Sequence, residues 1–287
     1  MTFFPPWLPA RQAGKHFSVP GIENVPDLHG DIVDPQLILF QSGSQYMVTH
    51  ELLESFKRNY PKYERIYAQT LPGGILEEQI EHGALVIGNL RITHRPDVFC
   101  AGKERIERLT TDKGWFDQTI VYARNRLAIM VREGNPKDIR SLSDLAKPKI
   151  RVSMPDPKRE GIGEYLLRAF RQIGREDLLE KILQEKVSDG TTYLTALHHL
   201  QTPLRIVEDW SDAGPVWYTE VQFQKRIGNL IELVEIPDED NVQVTYLASR
   251  MKNALHKRAA DDFLKFLNCP EGREVYRKFG FQMAGEE

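Results

Sequence analysis

A chain of 287 residues with a formal net charge of −3 can bury a sizeable core and is long enough for two lobes. The faint acidity and the lack of a long basic run remove the electrostatic case for nucleic acid as a partner. No stretch approaches the roughly 20 apolar residues of a membrane span, and no basic start followed by an apolar core marks a secretion signal.

Residues 1–34 read as an extended N-terminal arm. Pro5, Pro6, Pro9, Pro20 and Pro26 interrupt every helical or alternating pattern. At Leu37 the character changes. "LILF" (37–40) is a buried strand, Gln41 to Gln45 is small and polar, and Met47, Val48, Leu52, Leu53 and Phe56 then recur at helical spacing until Pro61. "ERIYAQT" (64–70) alternates like a strand, and the next helix opens at Pro72 and stops at Gly83. "PDVFCAG" (96–102) is a short buried strand before a helix carrying Ile106 and Leu109.

"TIVYARNRLAIMV" (119–131) is long for one strand, so it is expected to pass from one lobe into another. "KIRVSMP" (149–155) leads into a helix from Gly161 to Ile173, stopped by Gly174. Helices are expected at about 176–186 and 191–200. "DAGPVWYTE" (212–220) is strand-like and leads into another helix. "LIELVEI" and "VQVTYLAS" are strands, and helices over 256–268 and 271–279 close the chain. Strands alternating with helices predict an α/β protein with mainly parallel sheets.

Ligands of such sheets sit at the carboxyl ends of strands, where helix N-termini point. Three turns have that chemistry: Ser42-Gly43-Ser44, the stretch from Thr70 to Gly73-Gly74, and Ser153-Met154 before Pro155. Each has a hydroxyl, and the first two have glycine backbone that a ligand can approach closely. A helix N-terminus favours an anion without needing a lysine. The plain alternative is that Ser42, Thr70 and Ser153 cap helices.

Other candidates are weaker. Adjacent His198 and His199 on a helix diverge by about 100° and cannot form an i, i+4 metal pair, so no metal site is expected. Ser42-Gly43-Ser44 is not a GxSxG elbow and has no identifiable base. Glu77, Glu78 and Glu81 read as a solvated helix face, Trp210 and Tyr193 as packing. Arg124 and Arg126 suit a hinge-stabilising ion pair. Cys100 and Cys269, neither in a CxxC, read as two buried thiols in preference to one disulfide.

"EEQIEHG" before "PDVFCAG", "VYARNRLAIMVREGNP", "SLSDLAKPKIRVSMPDP", "DAGPVWYTE" and "RAADDFLKFLNCPEGREVYRKFGF" follow one another in this chain. Their order over roughly residues 37–281 resembles the periplasmic solute-binding proteins of ABC importers, specifically the molybdate/tungstate-binding group. The resemblance implies a type II periplasmic-binding-protein fold, with two α/β lobes joined by two crossover strands. Residues 35–122 and 221–287 would form one lobe and 123–220 the other. The hinges would lie at Ala123, Arg124 and Asn125 and between Val216 and Thr219.

Carried over by position, the family's first ligand serine falls in Ser42-Gly43-Ser44. Its second falls in the Thr70 to Gly74 turn, where this chain has threonine. A backbone contact falls near Ser153 and Met154, and the family's tyrosine aligns with Trp217, with Tyr218 beside it. "LVIGNLRITHR" (85–95) and Lys158-Arg159 depart from the family pattern.

The function implied is non-enzymatic: capture of a small oxyanion such as molybdate or tungstate in an interlobe cleft, for import by an ABC permease. The resemblance implies a periplasmic monomer without cofactor that meets the membrane through the permease. The alternatives are a cytoplasmic sensor or regulator on the same fold, or a binder of a sulfate-like or small organic anion.

Overall fold

The computed structural model describes residues 28–87, 89–157, 160–195 and 201–286. The expectations placed on residues 1–27, on Lys158-Arg159 and on His198-His199 lie outside them.

In chain order the first strands and helices are β1 (Leu28–Gly30), β2 (Leu37–Ser42), α1 (Tyr46–Asn59), β3 (Ile66–Leu71) and α2 (Gly73–His82). Then come β4 (Leu85–Ile87), β5 (Leu90–Ile92), β6 (Val98–Gly102), α3 (Lys103–Lys113) and β7 (Phe116–Arg132). Next follow β8 (Val152–Pro155) and α4 (Gly161–Gln172), with a helical run through Glu176–Glu180, a π turn at Lys181–Glu185 and Lys186–Ser188. The chain goes on through β9 (Thr192–Thr195), α5 (Gln201–Val207), β10 (Ala213–Trp217), α6 (Tyr218–Arg226) and β11 (Ile231–Val234). It ends with β12 (Gln243–Met251), α7 (Lys257–Leu267), α8 (Pro270–Lys278) and β13 (Gln282–Met283).

The described chain divides into two compact units. The terminal unit holds residues 28–124 and 244–286, and the inserted unit holds 125–243. The chain leaves the terminal unit within β7, between Arg124 and Asn125, and returns at the start of β12, between Gln243 and Val244.

In the terminal unit, β2 runs parallel to both β3 and β6, and antiparallel β1 and β12 border this group. Ile38, Phe40, Tyr67, Leu71 and Phe99 pack on one side with Leu76 and Ile80 of α2 and Ile106 and Leu109 of α3. Phe56 of α1 meets Phe263 and Phe266 of α7 edge-on, each with ring centroids 5.3 Å apart. Burying such a ring is worth about 1.5–3 kcal/mol, and its 3.6-residue repeat with Leu52 and Leu53 is the reason this segment folds as a helix against the sheet.

In the inserted unit, β8 runs parallel to β9 and β10, while β7 pairs antiparallel with β10 and β11. Ala128, Met130, Ile206, Val216, Val221 and Ile231 form its apolar cluster. In both units the parallel strands are flanked by antiparallel ones, an arrangement common in large α/β sheets.

Three expectations are corrected. The arm does not extend to residue 34, because Leu28–Gly30 pairs with Tyr67 to Gln69 as an edge strand. Thr192–Thr195 is a strand, not part of a helix over 191–200, because its β-branched and aromatic residues pair along β8. The return is not between Val216 and Thr219: β10 and β11 both pair with β7, which keeps residues 221–243 in the inserted unit. Val216 and Thr219 are therefore interior to that unit. The departure at 85–95 forms the antiparallel β4–β5 hairpin.

Candidate functional site

The terminal unit brings two of the three expected turns side by side. Ser42 at the end of β2 is in register with Leu71 at the end of β3, and the strands are parallel. Both chains then turn directly into helices, α1 through a 3-10 turn at Gly43–Gln45 and α2 at Gly73. Neither helix has an acidic residue in its first turn. Two N-terminal partial positive charges thus lie on neighbouring strand ends with no carboxylate of their own to answer them.

The hydroxyls in these turns differ in role. Ser42 is half-buried and its Oγ donates to the Cys100 carbonyl at 3.2 Å. Ser44 is buried, and its Oγ accepts the Tyr246 hydroxyl at 3.0 Å. Neither serine makes the side-chain cap bond of the plain alternative: Ser42 caps nothing through its side chain, and Gln45 precedes α1 without one. Gly43 is buried within the 3-10 turn. Thr70 is fully buried, 3.1 Å from His29 Nε2. Burial, helped by the charge of His50, lowers the His29 pKa to about 4, so its imidazole is neutral at pH 7.

Gly73 and Gly74 are not equivalent. A Cβ on Gly73 would stand 2.7 Å from Arg105 Nε, whereas one on Gly74 meets nothing within 4 Å. Arg105 is held there by Glu77, which also takes Arg108 at 2.9 Å. Glu77 is therefore an ion-pair partner, not part of a solvated face.

Beneath the first turn lies a polar cluster that pattern reading did not find. Gln45 Oε1 accepts the hydroxyls of Tyr122 at 2.6 Å and Tyr276 at 3.0 Å, while its Nε2 has no partner among the described residues. Thr49 donates to Gln41 Oε1 at 3.2 Å. Burial holds the Tyr122 and Tyr276 hydroxyls well above the usual phenol range and pushes the Cys100 thiol up to about 12. These groups are neutral hydrogen-bonders. Cys100 and Cys269 are both free thiols, Cys100 buried and Cys269 half-buried.

The third turn belongs to the inserted unit. Ser153 is fully buried on β8, with its Oγ 2.9 Å from Thr202 Oγ1 and accepting from Arg205 Nη1 at 3.0 Å. Arg205 also donates to the carbonyls of Tyr193 at 3.1 Å and Leu194 at 3.2 Å. Burial lowers the pKa of this guanidinium. Among the described residues, no carboxylate lies within ion-pairing distance of it. Met154 is fully buried in the same strand.

Trp217 is buried, its ring edge-on to Tyr165 at 5.3 Å, and its backbone N–H donates to Glu220 at 2.9 Å. Tyr218 lies half-buried under the Arg126 guanidinium, 4.2 Å from its ring centre. Arg126 pairs with Glu235, so its salt bridge is internal to the inserted unit. Ala123 and Arg124 pair with Met283 and Gln282 of β13, and Asn125 donates to Thr219 Oγ1 at 2.9 Å. Trp210 is 61 % exposed and does not serve as packing.

No group of three or more His, Cys, Asp or Glu suited to a metal occurs among the described residues, and no described helix is long and apolar enough to cross a membrane.

Known proteins share this pattern. The profile of the bacterial extracellular solute-binding proteins matches residues 37–282. YvgL of Bacillus subtilis (strain 168), named as an ABC transporter substrate-binding lipoprotein, is 25% identical over 238 residues, 80% of this chain and 82% of that one. The sulfate-binding protein of Escherichia coli (strain K12) is 41% identical over 192 residues, 61% of this chain and 54% of its own length, so the match spans about half of that protein. The periplasmic molybdate-binding protein of Azotobacter vinelandii superposes with a TM-score of 0.68 at 14% identity, over 86% of this chain and 98% of that one. That likeness establishes the fold, which is of the type II periplasmic-binding-protein class. With the match running almost from β2 to β13, the chain belongs to the family of bacterial extracellular solute-binding proteins.

Proposed function

We propose that the protein binds a small tetrahedral oxyanion, of the molybdate, tungstate or sulfate class, and presents it to the permease of an ABC importer outside the cytoplasm. The observation that carries this reading is the Ser42–Leu71 register, which sets two helix N-termini without first-turn acids on adjacent strand ends. Neutral hydroxyl and N–H donors at such ends favour an anion without needing a lysine. The names of the relatives agree, since both sulfate and molybdate binders are among them.

In the terminal unit the candidate donors are the backbone of Ser42, Gly43 and Ser44 and the Ser44 hydroxyl, with Thr70, Gly73 and Gly74. In the inserted unit they are Ser153 and Met154, with Trp217 and Tyr218. Arg205 adds a positive charge behind Ser153. Each bond to a charged partner nets ~1.5–3 kcal/mol, so five to seven of them, less the cost of ordering, reach submicromolar affinity. No cofactor and no catalytic step enters this scheme.

Isothermal titration of the protein with molybdate, tungstate and sulfate, against chloride and acetate, tests the reading. Saturable 1:1 binding of at least one tetrahedral dianion, with chloride and acetate inert, is the expected result. Binding of none of the three would refute it.

A further inference from the structure

We propose that Tyr246 is a positioning residue of the anion site, acting through the proton of Ser44. The inference rests on the oxyanion reading above and concerns a residue that the sequence pattern does not distinguish from strand packing.

Proton placement carries it. Tyr246 Oη donates to Ser44 Oγ at 3.0 Å, and both residues are nearly closed to solvent, at 2 % and 3 % exposure. A hydroxyl has one hydrogen and can accept as well as donate. With the tyrosine hydrogen directed at its lone pair, the serine hydrogen must point elsewhere. Among the described residues no acceptor takes it. Ser42 differs, since its hydrogen is spent on the Cys100 carbonyl.

An accepted bond also polarises the serine and strengthens its outgoing donation in a low-dielectric setting. Ser44 is therefore held as a pure donor. That state suits a fully deprotonated oxyanion and disfavours a ligand that must itself donate there.

The surroundings keep the pair in place. The Tyr246 ring lies 6.3 Å from Tyr122 and 5.9 Å edge-on from Phe281. The Tyr122 and Tyr276 hydroxyls pin Gln45, the residue after Ser44. Tyr246 sits in register with Gly102, at the end of the strand that flanks β2.

The experiment is a double-mutant cycle on the full chain with Tyr246→Phe, Ser44→Ala and the pair, read by calorimetry with molybdate, tungstate and sulfate and by ligand-free melting. Tyr246→Phe keeps the packed ring, and is expected to weaken binding about three- to tenfold, the range of one modest hydrogen bond. In the Ser44→Ala background the same change should alter affinity less than about twofold, because the proton it directs is gone. A merely structural tyrosine would instead lower melting and weaken binding equally in both backgrounds. That additive result, or an unaffected Tyr246→Phe in a parent that binds, overturns this proposal alone. A parent that binds none of the three anions overturns the oxyanion reading and this proposal together.

Discussion

The carboxylate of Asp97 accepts the backbone N–H of His256 at 2.9 Å and lies 2.9 Å from its ring Nδ1. It also takes the N–H of Ile38 at 2.9 Å, and is itself fully buried. One side chain thus ties the start of β2, the start of β6 and the residue before α7. It shows why residues on either side of the inserted unit fold as one body. Asp97→Ala strands two backbone donors in the interior, at about 1–3 kcal/mol each, so a loss of ~3 kcal/mol or more is expected in urea unfolding. Asp97→Asn keeps an acceptor oxygen and should lose less. Equal, small losses for both would show that the carboxylate is not an anchor.

Lys186 makes the corresponding tie in the inserted unit. Its ammonium, in a residue 1 % exposed, donates to the carbonyls of Lys147 at 3.0 Å and Ile150 at 2.6 Å and to Thr191 Oγ1 at 3.1 Å. Burial lowers its pKa, yet three acceptors satisfy the charged form. Lys186→Met fills a similar volume but leaves both carbonyls without that donor. The expected loss is ~2–4 kcal/mol by chemical denaturation. A variant as stable as the parent would mean that water replaces the ammonium.

His29 gives stability a pH dependence with a definite sign. In the fold its pKa is about 4, against 6.5 for the free group, because burial opposes the charge. Between those values the unfolded chain takes up a proton that the native chain refuses. Stability is therefore full above about pH 6.5, falls as pH drops toward 4, and stays level below, for a total of ~3 kcal/mol from this group. Urea midpoints measured from pH 7 to 4 should decline, and His29→Gln should flatten that decline. An unchanged slope in the variant would assign the acid sensitivity to other groups.

What could be read from the chain and what could not follows the reach of the physics. The turns after Phe40 and Leu71 were legible because apolar runs, a proline and glycines act within a few residues. The register that makes them neighbours is a pairing between strands and appears only in the fold. Thr192–Thr195 carried too few residues to separate strand from helix by period, and pairing with β8 decided it. The return point is not legible locally, because "VWYTE" and "VQVTYLAS" have equally strand-like patterns, while β11 binds the intervening chain to β7. The Tyr246–Ser44 bond spans 202 residues, so no local pattern signals it. Arg205 is likewise placed by contacts with β8 and β9, not by any motif.

Gly74 offers the sharpest separation of binding from stability. It lies in the first turn of α2, and a Cβ there meets nothing within 4 Å. Gly74→Ala should therefore stabilise the ligand-free protein by ~0.5 kcal/mol, through the reduced freedom of the unfolded chain. An anion seated at this helix N-terminus would need the same space, because close approach to its N–H groups is what a glycine permits. The expected outcome is a slightly raised ligand-free melting point with affinity for tetrahedral anions at least about tenfold weaker, the loss of one charge-assisted bond. Gly73→Ala is a different case, since its Cβ would have to displace Arg105 from Glu77, and it should lower stability and affinity together. If Gly74→Ala binds molybdate, tungstate or sulfate as the parent does, the anion does not use the α2 end. The binding surface would then rest on the Ser42–Ser44 turn without its neighbour.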